Sequence, residues 1–209
     1  MTMRRCWIAL ALTMGLVAAG VDAGALDQAP TKLAKQAKSV GITKPGKKYR
    51  YEEATASSVE GTLTVAVDLP TAWSDRADSH FVRPDTEEPY GAGVRATTDA
   101  DKFHNSFDVP GLKVNVTGEV ADPFDAEELV RANAFEGCRP GAIKAYDNGT
   151  FAGSYQLFRK CDGKKAGAVV VVARSRRVMI LVAGQVLTKA DLAAFDRALR
   201  TITAEFTSV

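Results

Sequence analysis

Two apolar runs joined by a basic turn constrain this chain more than any other feature. The first runs from Ala166 to Ala173 (Ala-Gly-Ala-Val-Val-Val-Val-Ala) and the second from Val178 to Ala183 (Val-Met-Ile-Leu-Val-Ala). A strand with one wet face alternates apolar and polar residues, and these two do not. Both of their faces need cover, which places the hairpin in the middle of a sheet with a layer on either side. Arg174, Arg176 and Arg177 crowd its tip. They read either as an exposed turn or as a contact for an anionic partner.

The remaining elements follow from local chemistry. Tyr49–Thr55 and Gly61–Leu69 read as strands; the second is amphipathic, with Leu63, Val65, Val67 and Leu69 on one face. Pro70 has no N–H to donate and closes that strand, and Trp73 is expected to fold back over the sheet end. Ser74–Tyr90 reads as a long loop or weak edge, Gly91–Thr98 as a short strand, Asp99–Phe107 as a helical turn or two, and Leu112–Val116 as an alternating strand. Asp125, with Glu128 three residues on, starts a helix expected to stop at Gly137, and Phe124 staples to Leu129. A last helix starts at Thr188 and carries the stripe Leu192, Phe195, Leu199, Ile202 and Phe206.

Ala142–Tyr146 and Phe151–Cys161 form a hairpin around Asn148-Gly149, a pair that tolerates positive φ. Pairing Tyr146 with Phe151 carries Cys138 opposite Arg159 and makes Cys161 its diagonal neighbour. Diagonal Cα atoms lie ~7–8 Å apart, slightly beyond the ~4.4–6.8 Å of a disulfide. Twist or a bulge near Pro140-Gly141 would close that gap.

Cysteine count points the same way. Residues 1–23 read as a secretory signal: Arg4 and Arg5, an apolar centre from Trp7 to Val21, and small residues for a cut after Ala23 or Ala25. Cys6 lies too early for lipidation. The mature chain keeps Cys138 and Cys161, and an even count in an exported protein favours a bridge between them. No stable transmembrane anchor is expected after processing. Removing Arg4, Arg5 and Asp22 with the signal leaves 25 basic against 24 acidic residues, a net charge of +1. That balance argues against general nucleic-acid binding.

Residues 24–47 read as a basic flexible arm ahead of a single domain, 48–209. Between Pro30 and Tyr51 stand Lys32, Lys35, Lys38, Lys44, Lys47, Lys48 and Arg50 with no acidic residue. The arm is either a solvated tether or a segment drawn to an anionic lipid, wall polymer or protein face. A loose helix over Leu26–Val40 would align Leu33, Ala37 and Val40.

No catalytic signature stands out. His80 and His104 are far apart; with Asp101 or Asp108 they make a metal site only on paper. Gly153-Ser154-Tyr155 lies inside a strand, where a nucleophile would be poorly exposed. Asp75, Asp78, Asp85, Glu87 and Glu88 could include a glycosidase pair, but acids in a loop are commonly just solvated. Gly91-Ala92-Gly93 lacks the third glycine of a phosphate loop. Asn115-Val116-Thr117 and Asn148-Gly149-Thr150 fit the glycosylation triplet incidentally. No catalytic residue, metal or cofactor is expected.

From Tyr49 to Phe206 the order of elements resembles the PsbP-like α/β/α sandwich, including exported domains of the LpqN type. The residues that carry the resemblance are Leu69-Pro70-Thr71-Ala72-Trp73, the capped helix at Asp125, the consecutive strands ending in Val178–Val182, and the final helix. It is similar also to small exported actinobacterial domains with a Pro-x-x-Trp, a cysteine pair and a last helix like Asp191-Leu192-Ala193-Ala194-Phe195-Asp196-Arg197-Ala198-Leu199. The resemblance implies an α+β domain, a largely antiparallel twisted sheet with helices on both faces. It implies no shared catalytic residues. The expected function is that of a secreted, non-enzymatic accessory or binding domain acting on another protein or an envelope component. The alternatives are a hydrolase with its site in the 74–107 loops, and an anionic-envelope binder working through the basic arm.

Overall fold

The apolar hairpin forms the middle of a seven-stranded antiparallel sheet. The computed structural model describes residues 33–120 and 122–206. In chain order the elements are β1 (Tyr51–Ser57), β2 (Leu63–Pro70), β3 (Asp75–Asp78), β4 (Phe81–Val82), β5 (Pro89–Tyr90), β6 (Ala92–Thr97), α1 (Ala100–Asn105), β7 (Gly111–Thr117), α2 (Ala126–Ala132), β8 (Arg139–Asp147), β9 (Ala152–Arg159), β10 (Gly167–Arg174), β11 (Met179–Val186), α3 (Lys189–Thr201) and β12 (Thr203–Phe206). The large sheet runs β3-β6-β7-β11-β10-β9-β8, a second sheet runs β1-β2-β12, and β4 pairs with β5. Seven of the eight β10 residues are buried, as an unalternating strand requires.

The two faces of the large sheet are covered differently. On one, Val169, Val171, Val114, Ile180 and Val182 pack under β1, β2, Trp73 and α3 in the main core. Leu192, Phe195 and Leu199 are buried there from α3, each contributing about 1.5–3 kcal/mol. The Thr188 side chain accepts from Asp191 N–H, and Asp191 accepts from Thr188 N–H, a capping box that fixes where the helix starts. On the other face, Val170, Val172, Met179 and Ala183 meet α2 and the aromatics Phe107, Phe135 and Phe158.

This arrangement corrects the expected α+β sandwich with helices on both faces. The molecule is mostly β: one face lies under a second sheet as well as α3, and on the other the described helices are the short α2 (seven residues) and α1 (six residues), beside the β4–β5 hairpin. The final helix also stops earlier than its stripe suggests. Ile202 turns extended, and Thr203–Phe206 pairs with β2, leaving Phe206 47% exposed. The α2 helix ends at Ala132, five residues short of Gly137.

Residues 33–47, expected as a flexible arm, instead lie against α3. Leu33, Ala37, Val40 and Ile42 are buried in the main core, and Leu33 N–H donates to Asp196 Oδ1 at 2.8 Å. Lys44 and Pro45 carbonyls accept from Lys189 and Ala190 N–H. Gly46 has φ +74, and a Cβ there would meet Thr188 Oγ1 at 2.3 Å, so only glycine fits the crossing. Residues 1–23, expected to be a secretory signal, and Lys32 lie outside the described residues.

Tyr49 completes the attachment. Its hydroxyl donates to Asp191 Oδ1, and its ring meets Trp73 edge-on at 5.8 Å. Burial, reinforced by Asp191, pushes the Tyr49 hydroxyl far above the ordinary tyrosine range. Tyr49→Phe removes a bond to a buried carboxylate and should cost about 1.5–3 kcal/mol. Urea unfolding should show a lower midpoint at unchanged slope; an unchanged midpoint would show that residues 33–49 do not unfold with the domain.

The Cys138–Cys161 disulfide is present. Its hairpin register differs from the expected one by two residues: Tyr146 pairs with Gly153, not Phe151. Asn148 explains the shift. Its side-chain oxygen accepts from Thr150 and Phe151 N–H, widening the turn to four residues. An irregularity between Pro140 and Ile143 then takes back one of those two residues, so that Arg139 rather than Cys138 faces Arg159, and the cysteines meet.

Candidate binding cleft

Because α2 is short, the second face of the large sheet is only partly roofed. Between α2 and the β4–β5 hairpin lies a cleft of about 510 Å³. Period-two alternation decides its lining. Leu112, Val114 and Val116 of β7 point into the main core, so Lys113 and Asn115 point into the cleft. Beside them, Val172 of β10 and Met179, Leu181 and Ala183 of β11 make an apolar floor. Leu129 and Asn133 supply the α2 wall.

The opposite wall is held by its own contacts. Phe81 stacks on Tyr90 with ring centroids 5.4 Å apart, and the Arg83 guanidinium lies 4.7 Å over Tyr90. Arg83 also donates to Glu119 at 3.1 Å. Burial, then Glu119, raises the Tyr90 hydroxyl above its usual range. His80 Nδ1 lies 3.2 Å from the Gly91 carbonyl, and Asn115 Nδ2 donates to the His80 carbonyl at 3.1 Å. That bond pins the start of the hairpin to the sheet. Asn115 Oδ1 is buried with no hydrogen-bond partner.

The polar end of the cleft is cationic. Lys113 is the cross-strand partner of Arg95, which puts two positive side chains on one face about 4.5–5.5 Å apart at Cβ. Burial first, and Arg95 second, hold the Lys113 ammonium below the ordinary lysine range. Arg95 Nη1 lies 2.9 Å from His104 Nε2, and Nη2 is 3.6 Å from Asp75 Oδ1. Burial, then Arg95 and Lys113, depress His104, favouring its neutral form.

The residues singled out from sequence fall elsewhere. Lys35, Lys38, Lys44, Lys47, Lys48 and Arg50 are exposed along the segment leading into β1. Arg174, Arg176 and Arg177 are exposed at the β10–β11 tip, with Arg174 5.0 Å over the Phe124 ring. Val40 lies beside Gly167, at the far end of β10 from Arg174. Seven strand residues span roughly 24 Å, so the two basic groups do not share one surface.

Of the histidines and acids between 74 and 107, His80 and Glu87 line the cleft. His104 engages Arg95, while Asp75 accepts from Ala100 N–H at 2.7 Å. Asp108 pairs with Lys164 at 2.6 Å. Among the described residues, no three His, Cys, Asp or Glu side chains group closely enough to hold a metal. Ser154 is buried in β9. Asn115 is 2% exposed and Asn148 Nδ2 donates to the Leu199 carbonyl, so both triplet asparagines are tied into the fold.

Sequence reasoning missed Lys113, Asn115 and the cleft floor. The alternation of Leu112–Val116 contained the signal for the first two. Their face reads as solvent-facing until the strand is placed beside β11.

Among the described residues, no helix is long and apolar enough to cross a membrane. No protein-family model, curated protein or solved structure matches the chain. The resemblance to PsbP-like domains therefore rests on its short motifs alone.

Proposed function

We propose that the mature chain is an exported, non-enzymatic binding domain that holds its target in the cleft on the second face of the large sheet. The observation that carries this reading is the cleft itself. An antiparallel sheet normally buries or solvates a whole face; here apolar side chains floor a walled cavity with polar groups from β7 and both walls around it. That combination is the common form of a small-molecule or side-chain binding site. The disulfide supports the extracytoplasmic part of the reading, because such bonds persist outside the reducing cytosol.

A neutral probe tests it. 1-Naphthylacetamide added to the disulfide-bonded protein should shift the Met179 methyl resonance, because Met179 lines the floor. Leu181→Trp, which fills the floor from the exposed side, should abolish that shift while leaving the circular dichroism spectrum and melting temperature near wild type. A shift that survives Leu181→Trp, or none in wild type, would reject the cleft as the binding site.

A further inference from the structure

This inference rests on the cleft reading and assigns the class of molecule that fills it. We propose that the occupant is a small organic acid, with its apolar body on the β10–β11 floor and its carboxylate against Lys113.

Charge complementarity is the first support. Lys113 and Arg95 stand side by side on adjacent strands. Asp75 lies 3.6 Å from Arg95 and also accepts a backbone N–H of α1. Among the described residues Glu87 is the one acid lining the cleft, and it is exposed on the hairpin rim. Lys113 and Arg95 thus put two cationic side chains at the β7 side of the cleft, where partial burial strengthens attraction to an anion. The attraction of a carboxylate would offset the cost that burial and Arg95 place on the Lys113 ammonium.

The floor supplies the second support. An inorganic anion would leave Val172, Met179, Leu181 and Ala183 in contact with water; an acid with an apolar body covers them. The third is size. About 510 Å³ lies within the ~300–1,000 Å³ range of small-molecule pockets, which favours a free acid over the end of a partner chain.

Two probes of one shape separate the possibilities. 1-Naphthylacetate and 1-naphthylacetamide differ in charge at the same position, and calorimetry on the disulfide-bonded protein measures both. The acid should bind about tenfold or more tightly than the amide. Lys113→Met should erase that preference while amide binding persists, and Lys113→Arg should retain it. Equal binding of acid and amide in wild type, or a preference that survives Lys113→Met, overturns the acid assignment and leaves the cleft in place. Absence of binding by both probes overturns the two readings together. A peptide with an apolar C-terminal residue and free carboxylate is the third arm. If it outcompetes naphthylacetate and depends on Lys113, the occupant is a partner's C-terminus and the small-acid assignment falls.

Discussion

Phe195→Ala should destabilise the protein by about 3–5 kcal/mol, the upper range for removing a buried aromatic ring. The ring is fully buried at the centre of α3. One edge lies against Gly184 of β11, where an added Cβ would come within 2.9 Å of Phe195 Cε2. The neighbours are backbone and strand side chains from two sheets, which cannot collapse into the space left behind. Residual cavity volume then adds its own cost to the lost transfer energy. Phe195→Leu keeps much of the volume and should cost well under half as much. Urea unfolding of both variants checks the pair. A loss below about 1 kcal/mol for the alanine variant would mean that the site relaxes and that α3 is a loose cover.

Replacing both cysteines by serine should cost roughly 3 kcal/mol for a loop closed over 23 residues. The loss should be uneven. Cys138 follows α2 by six residues, and α2 carries the Leu129 and Asn133 wall of the cleft. Amide exchange at Val130 should therefore accelerate more than exchange in β10, whose amides are protected by partners on both sides. Probe binding in the cleft should weaken in the same variant even at temperatures where it remains folded. Equal acceleration in α2 and β10 would mean that the bridge acts on global stability alone.

The fold was legible where one residue pattern admitted one answer. Unbroken valines in β10 demanded a central strand, and Thr188 with Asp191 marked a helix start. Patterns shared by two structures were not decided locally. The stripe ending at Phe206 fits a longer helix, but Ile202 leaves helical geometry and Thr203–Phe206 joins β2. The lysines between 32 and 50 look like a tether because charge dominates their composition. Four small apolar side chains, Leu33, Ala37, Val40 and Ile42, outweigh that impression once α3 offers a surface to bury them. The cleft was illegible for a different reason. Its lining comes from β7, β10, β11, α2 and the β4–β5 hairpin, and no local window contains two of its walls. Lys113 looks like an ordinary solvent-facing position until β11 is known to lie beside it.

The irregularity between Pro140 and Ile143 has a role beyond aligning two cysteines. β8 is an outermost strand of the large sheet, nine residues long and mostly exposed, so its outer rim would otherwise be a template for another chain. Pro140 removes one donor from that rim, the bulge breaks its straight line, and Lys144 places a charge beside it. These three features disfavour sideways growth into a shared intermolecular sheet. The distortion that lets the disulfide close therefore also works against pairing between copies along this edge.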